Sequence, residues 1–136
     1  MSSFLSRFAL IMGLLVVVAA CSGTAVATEH SLVSATEANE LVQDPPAGVV
    51  ILDIRTPEEY AEGHLEDSIM IDFYAADFQD RLDELDKTVP YLVYCRSGNR
   101  SATAVGMMED LEFLEIYEMD GGIVAWAEAG LPYVSS

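Results

Sequence analysis

The sequence predicts a single α/β domain with a mainly parallel central sheet. Short apolar runs with β-branched and aromatic residues recur along the 136-residue chain, at residues 49–53, 68–71, 89–95 and 115–119. Segments between them carry apolar residues at helical spacing, and "VVIL" is continuous, as in strands that helices cover on both faces. Strands that alternate with helices in this way pair in parallel, and a chain of this length suits one such domain.

The first helix and the strand after it have clear sequence signals. "SATE" at residues 34–37 is a capping box, in which a hydroxyl is followed three residues later by a carboxylate. Ala38, Leu41 and Val42 then form one helical face. "DPPAG" at residues 44–48 ends that helix and turns the chain into the strand "VVILD".

The later elements follow in the same rhythm. "TPEEYAEG" predicts a short helix with proline in its first turn, and the spacing of Phe78, Leu82 and Leu85 predicts an amphipathic one. The remaining predictions are strands at "SIMI", "VPYLVYC" and "EIYEM", a helix over residues 102–111, and a last helix at "IVAWAEAG" that Gly130 closes.

The N-terminus predicts export. Residues 8–20 are apolar, which fits a secretory signal and is too short to span a bilayer as a helix. The run ends in "VAAC", which resembles a bacterial lipobox and implies that Cys21 is lipidated. Residues 1–20 are therefore interpreted as a signal peptide, residues 21–30 as a tether and residues 31–136 as the domain. Cleavage after "AVA" to give a soluble periplasmic or secreted protein, and an uncleaved anchor, are the alternatives; all three place the domain outside the cytoplasm.

The charge excludes some partners. The chain has 23 acidic and 6 basic residues and a net charge of −17, so its surface repels nucleic acid and anionic lipid. Solubility explains such a surface more simply than an acidic interaction surface does.

The segment "CRSGNRS" at residues 95–101, here called the cysteine loop, concentrates two of the six basic residues behind a thiol. It lies where a predicted strand ends and a helix begins, so backbone N–H groups and the helix dipole favour an anion there. Arg96 and Arg100 add charge, and Gly98 permits a backbone conformation that a side chain would block. Such surroundings lower a thiol pKa and predict that Cys95 is a reactive thiolate. The alternative is a core cysteine flanked by surface arginines.

Three motifs resemble those of the rhodanese family, specifically its single-domain members. The cysteine loop resembles the active-site loop of that family: cysteine, four residues including a glycine, arginine, then serine or threonine. "LDIRTPEEYAEGHLEDSIMI" is similar to its early motif, and "MDGGIVAWAEAGLPY" resembles its closing motif. The resemblance covers about residues 31–134 and implies a rhodanese-like fold, with about five strands and helices on both faces.

The resemblance also implies an activity, sulfur transfer. Cys95 would take sulfur from a small anionic donor such as thiosulfate and pass it to a thiophilic acceptor, which could be cyanide, a thiol or a redox protein. Arg100 would brace the loop and hold the donor. The substrate-binding residues implied are Arg96, Ser97, Gly98, Asn99 and Ser101. No cofactor is implied.

The early motif is expected to be structural. Arg55 is expected to pair with Glu59 or a nearby carboxylate, and His64 to pin a helix end rather than to act in catalysis; Asp53 is a further residue of this motif. Glu66 and Asp67 stand where the family often has Pro-Gly, which affects the local turn. Two histidines and one unmodified cysteine at scattered spacings match no metal-ligand pattern, so no metal site is expected.

Two other functions remain open. Phosphatases of related folds place the loop arginine one residue further from the cysteine, whereas Arg100 is the fifth residue after Cys95. The shorter loop favours a donor that presents a single sulfur. A sulfur carrier or sulfide-binding module at the membrane, which loads Cys95 without turnover and hands sulfur to a membrane partner, uses the same residues. An assay of turnover, rather than the sequence, distinguishes it from an enzyme.

Overall fold

The computed structural model of the chain describes residues 26–43 and 48–136. Outside the described residues lie the predicted signal peptide, the lipobox-like segment with Cys21, residues 21–25 of the predicted tether and most of the "DPPAG" segment. Within the described residues no helix is long and apolar enough to cross a membrane.

Strands and helices alternate along the described chain, beginning with a strand. The strands are β1 (Glu29–Val33), β2 (Val50–Asp53), β3 (Ile69–Met70), β4 (Tyr91–Tyr94) and β5 (Glu115–Met119). The helices are α1 (Ala35–Gln43), α2 (Pro57–Glu62), α3 (Phe78–Asp83), α4 (Asn99–Asp110) and α5 (Gly122–Glu128).

The five strands form one sheet in the order β1-β5-β4-β2-β3, and every pairing in it is parallel. One face packs against α3 and α4, where Leu82 and Met108 are fully buried. The other face packs against α1 and α5, where Ala38 and Trp126 lie in a second cluster. The predicted α/β fold, with about five strands and helices on both faces, is confirmed.

Helix starts follow the predicted local chemistry. The Ser34 backbone N–H donates to the Glu37 carboxylate over 2.7 Å, and the Glu37 N–H donates back to the Ser34 hydroxyl over 3.3 Å. A second capping box, which the sequence analysis did not identify, opens α2. There the Glu59 N–H donates to the Thr56 hydroxyl, while the Glu59 carboxylate accepts from the Thr56 N–H. These caps satisfy backbone donors that a helix leaves unpaired.

The predicted boundary between the tether and the domain is wrong. The segment predicted as a tether extends to residue 30, but Glu29 and His30 belong to β1 and pair with Glu115 and Ile116. A parallel partner on the edge of the sheet orders these residues, although four of the five β1 residues are exposed and give no apolar signal. The helix predicted over residues 102–111 also begins earlier, at Asn99.

Candidate active site

The cysteine loop connects the buried centre of the sheet to the longest helix. β4 is buried at all four positions and ends at Tyr94, and α4 begins at Asn99. Gly98 precedes α4 with φ 104°, a left-handed conformation that a residue with a side chain rarely adopts. The chain therefore turns sharply after Cys95 and directs the amides at the start of α4 back towards it.

The sulfur of Cys95 lies inside this turn. Its Sγ accepts a hydrogen bond from the Gly98 N–H over 3.1 Å. The thiol lies 3.7 Å from the Ser101 hydroxyl oxygen, to which it can donate. Cys95 is 1% exposed and also contacts the apolar cluster below the loop. The residue is thus buried, but its sulfur faces polar groups.

The carbonyls at the start of the loop point towards α5. The Cys95 carbonyl accepts from the Ile123 N–H over 2.9 Å, and the Arg96 carbonyl accepts from the Val124 N–H over 3.2 Å. This close approach needs a glycine at position 122, where a Cβ atom would lie 2.4 Å from the Cys95 carbonyl oxygen. Because α5 holds these carbonyls, the amides of the loop are left to face the sulfur.

The pKa of the Cys95 thiol reflects two opposing effects. Burial raises it, because a low-dielectric environment disfavours the charged form. Hydrogen bonds from the Ser101 N–H and hydroxyl, then from the N–H groups of Gly98 and Ser97, outweigh burial and lower the pKa below the ordinary thiol value. The loop therefore favours a thiolate, which is the nucleophilic form of cysteine.

Arg100 forms a bidentate pair with one carboxylate. Its two terminal nitrogens donate to the two oxygens of Glu59, each over 2.7 Å. The bidentate pair holds the pKa of Glu59 at about 2, mainly through the hydrogen bonds from Arg100, against the opposing effect of burial. Glu59 also caps α2, so this pair ties the cysteine loop to α2.

Arg55 pairs with Asp53 rather than with Glu59. The Asp53 carboxylate accepts from the Arg55 backbone N–H over 2.9 Å and from its guanidinium over 2.6 to 3.1 Å. It also accepts the Tyr94 hydroxyl over 2.5 Å, while Arg55 donates to the Gly63 carbonyl over 2.6 Å. The expectation of a nearby carboxylate partner thus resolves to Asp53, and the pair lies beneath the site.

The remaining predicted residues have distinct positions. Nδ1 of His64 lies 2.8 Å from the carbonyl oxygen of Tyr60, and the His64 ring stacks on the Tyr60 ring at the end of α2. Ser97, Asn99 and Arg96 are exposed on the loop. Arg96 borders a cavity of about 270 Å³ that is also lined by Arg55, Glu59, Glu62, Gly63, Ile123, Val124, Ala127 and Tyr133.

Three residues that contact the site were not predicted from the sequence. Glu118 of β5 accepts from the Ser101 hydroxyl over 3.1 Å, and His30 contacts Glu118 from β1. The Arg100 guanidinium carbon lies 5.6 Å from the ring centre of Tyr74, which is 68% exposed. The sequence contains a signal for Glu118, because the alternation of side chains along a strand places residue 118 on the same face as the apolar Ile116. His30 and Tyr74 have no comparable signal.

The described residues include no group of three or more histidine, cysteine or acidic side chains that could hold a metal ion. The site contains two buried or half-buried ion pairs, an amide-lined loop and a buried thiol. Together they can stabilise one anionic sulfur and an anion beside it.

The chain is a cysteine-loop protein: it is a parallel α/β domain, and its cysteine lies in an amide-lined loop between a strand and a helix. Within this class, the rhodanese-like domain family matches residues 34–129. The chain belongs to that family, and the resemblance seen in its three motifs is confirmed.

Individual relatives agree with this assignment. A sulfurtransferase of Allochromatium vinosum is 36% identical over 87 residues, which cover 64% of this chain and 79% of the relative. The thiosulfate sulfurtransferase GlpE of Ectopseudomonas mendocina is 32% identical over 99 residues, which cover 73% of this chain and 86% of the relative. The crystal structure of a rhodanese-related protein from Thermoplasma volcanium has a TM-score of 0.67 and 32% identity, with 76% of this chain and 97% of that chain covered. The chain is therefore a sulfurtransferase-like member of the family.

Proposed function

We propose that the protein transfers sulfane sulfur from thiosulfate, or a similar small anionic donor, to a thiophilic acceptor through a persulfide on Cys95. The main support for the proposal is that backbone amides and backbone carbonyls near this residue face different ways. The amide of Gly98 faces the sulfur, whereas the carbonyls of Cys95 and Arg96 are held by α5. An anionic sulfur is favoured at that point, and a two-step displacement requires such a nucleophile.

In the first step the Cys95 thiolate attacks the outer sulfur of thiosulfate. A bond forms between Sγ and that sulfur, the sulfur–sulfur bond of the donor breaks, and sulfite leaves with the electron pair. In the second step cyanide or a thiolate attacks the outer sulfur of the persulfide, and Cys95 leaves as the thiolate. Each step exchanges one sulfur bond for another, so no external oxidant or reductant is required.

The arginines have different roles in this proposal. Arg100 acts as a brace, because both of its terminal nitrogens already donate to Glu59. Arg96 is exposed at the cavity beside the loop and carries the charge that attracts the anionic donor. The amides from Ser97 onwards then hold the transferred sulfur. Thiosulfate is supported as the donor by the similarity to thiosulfate sulfurtransferases of other bacteria.

The test is the mass of the protein after incubation with thiosulfate. We expect the wild type to gain one sulfur atom and Cys95→Ser to gain none. If both proteins gain sulfur, or neither does, the persulfide mechanism is wrong. Multiple turnovers with thiosulfate and cyanide would establish an enzyme, whereas loading that stops at one sulfur per chain would indicate a carrier.

We also propose that the protein is exported and anchored to the cell envelope by lipid on Cys21. The support is the sequence "VAAC" after an apolar run. Each buried methylene contributes about 0.8 kcal/mol, so several acyl chains anchor a protein stably. Mass spectrometry of the mature N-terminus tests this, with Cys21→Ser as the matched variant. A wild-type chain that begins at residue 28 would show cleavage after "AVA" and contradict the anchor.

A further inference from the structure

Glu118 is a buried carboxylate that the sulfur-transfer mechanism does not use. It lies in β5 on the face that carries Ile116, and its side chain is 9% exposed. Oε1 accepts from the Ser101 hydroxyl over 3.1 Å, and Oε2 lies 3.2 Å from Nε2 of His30. A charged group is expensive to bury unless it is paired, so these two contacts account for its position.

His30 holds Glu118 from the side opposite the cysteine loop. Nδ1 of the same ring lies 3.0 Å from the Glu109 carboxylate of α4. The residues in register with Glu118 on the neighbouring strands are Leu32 and Val93, which are apolar. The polar and charged groups that face Glu118 from the packed elements are therefore His30 on β1 and Ser101 on α4, with Glu109 behind the histidine.

The Ser101 hydroxyl has one proton and several acceptors near it. The Gly98 carbonyl lies 3.0 Å away, Glu118 Oε1 lies 3.1 Å away and the Cys95 sulfur lies 3.7 Å away. A hydroxyl donates to one acceptor at a time, and a carboxylate is a stronger acceptor than a neutral carbonyl. When its proton faces Glu118, Ser101 presents a lone pair to the sulfur and accepts from the thiol.

We propose that Glu118 is a positioning residue for the sulfur chemistry, which competes with Cys95 for the Ser101 proton and so weakens the stabilisation of the thiolate by that hydroxyl. The amides of the loop favour the thiolate, and Glu118 opposes them through one shared hydroxyl. The inference rests on the proposed role of Cys95 as the nucleophile. Its consequence is that the resting nucleophile is more protonated than the loop amides alone would make it.

The test follows thiolate formation by ultraviolet absorbance as a function of pH. Each protein is measured against the same protein carrying Cys95→Ser, which retains every other thiol. Glu118→Gln keeps the size of the side chain and removes its charge, so we expect the midpoint of Cys95 ionisation to fall by about 0.5 to 1 pH unit. Glu118→Leu, a second variant in case the first does not fold, is expected to shift the midpoint in the same direction. Glu115→Gln, on the same strand, is expected to leave it in place.

The Ser101→Ala background separates positioning from a direct effect of charge. If Glu118 acts through Ser101, Glu118→Gln will shift the midpoint by less than half as much in that background. A shift of half the size or more there would overturn the proposal, as would a midpoint that is unchanged or raised in the Glu118→Gln protein. This readout needs no sulfur donor, so it is independent of whether a persulfide forms with thiosulfate.

Discussion

Two arginine–carboxylate pairs involve the cysteine loop or contact the strand before it, and they differ in burial. The side chains of Arg55 and Asp53 are 5% and 0% exposed, whereas those of Arg100 and Glu59 are 14% and 25% exposed. The first pair joins residues two apart in the chain, and the second joins residues 41 apart. The first therefore stabilises the end of β2, and the second couples the cysteine loop to α2.

The difference in burial indicates different consequences of mutation. Removing one member of a buried pair leaves an uncompensated charge, which costs far more than the pair itself contributes. A partly exposed pair is screened by water, so its loss changes the position of the loop more than the stability of the fold. Activity and stability should therefore respond differently at Arg55 and at Arg100.

The largest expected effect on stability is that of Arg55→Ala. Asp53 would remain buried with one guanidinium partner lost, so we expect the free energy of unfolding to fall by about 3–5 kcal/mol. Urea denaturation measures this. The double variant Asp53→Asn/Arg55→Ala removes the stranded charge and is expected to be less destabilised than Arg55→Ala alone. A loss below about 1 kcal/mol in the single variant would contradict the interpretation of this pair.

The next effect is on activity. Arg100→Ala releases the loop from α2, and we expect kcat/KM for the sulfur donor to fall about 10- to 100-fold, since each factor of ten is about 1.4 kcal/mol. The control is Arg81→Ala, an exposed residue of α3. Steady-state kinetics with thiosulfate and cyanide compare the two. Equal losses in both variants would mean that the loop arginine has no special role.

A smaller effect is the pH dependence of stability that Glu59 contributes. The Arg100 guanidinium holds the pKa of Glu59 at about 2, below its ordinary value of 4.5. A carboxyl with a lowered pKa contributes stability above its unfolded-state value, and this contribution is lost as pH falls through 4.5 towards 2. We expect Glu59→Gln to unfold with a shallower acid dependence in that window. Glu58→Gln, exposed on the same helix, should retain the wild-type slope in urea titrations at each pH.

The smallest effect is expected at an exposed pair. Lys87 donates to Asp83 over 2.5 Å, with side chains 32% and 56% exposed. Pairs four residues apart at a surface contribute about 0.3–0.5 kcal/mol, so Lys87→Met should change the free energy of unfolding by no more than that. A loss above about 1 kcal/mol, measured by urea denaturation, would show that the burial of an ion pair does not determine how much it contributes to stability.

Much of the fold could be predicted because the signals were local. The strand "EIYEM" was predicted with the bounds that the structure has, and the capping box at Ser34 was identified from two residues. β1 could not be predicted from apolar patterning, because its side chains are mostly exposed and it is ordered by pairing with β5. The start of α4 was misplaced because its first turn has no apolar face, and the turn depends on Gly98.

Less of the site could be predicted, because its contacts join distant segments. The cysteine loop was identified from its own composition. Arg100 pairs with Glu59 and Arg55 pairs with Asp53. The sequence named only Glu59 as a specific partner for Arg55, because the position of α2 relative to the cysteine loop cannot be read from spacing. The role of Glu118 requires the strand order, which brings β5 next to β4.

Gly122 has a consequence for protein engineering. A Cβ atom there would lie 2.4 Å from the Cys95 carbonyl oxygen and 2.5 Å from that of Arg96, so α5 and the cysteine loop must be built together. A seven-residue loop grafted onto another parallel sheet would lack the helix whose N–H groups donate to its first two carbonyls. The transplantable unit is therefore the loop together with the last helix, two segments separated by twenty residues of sequence.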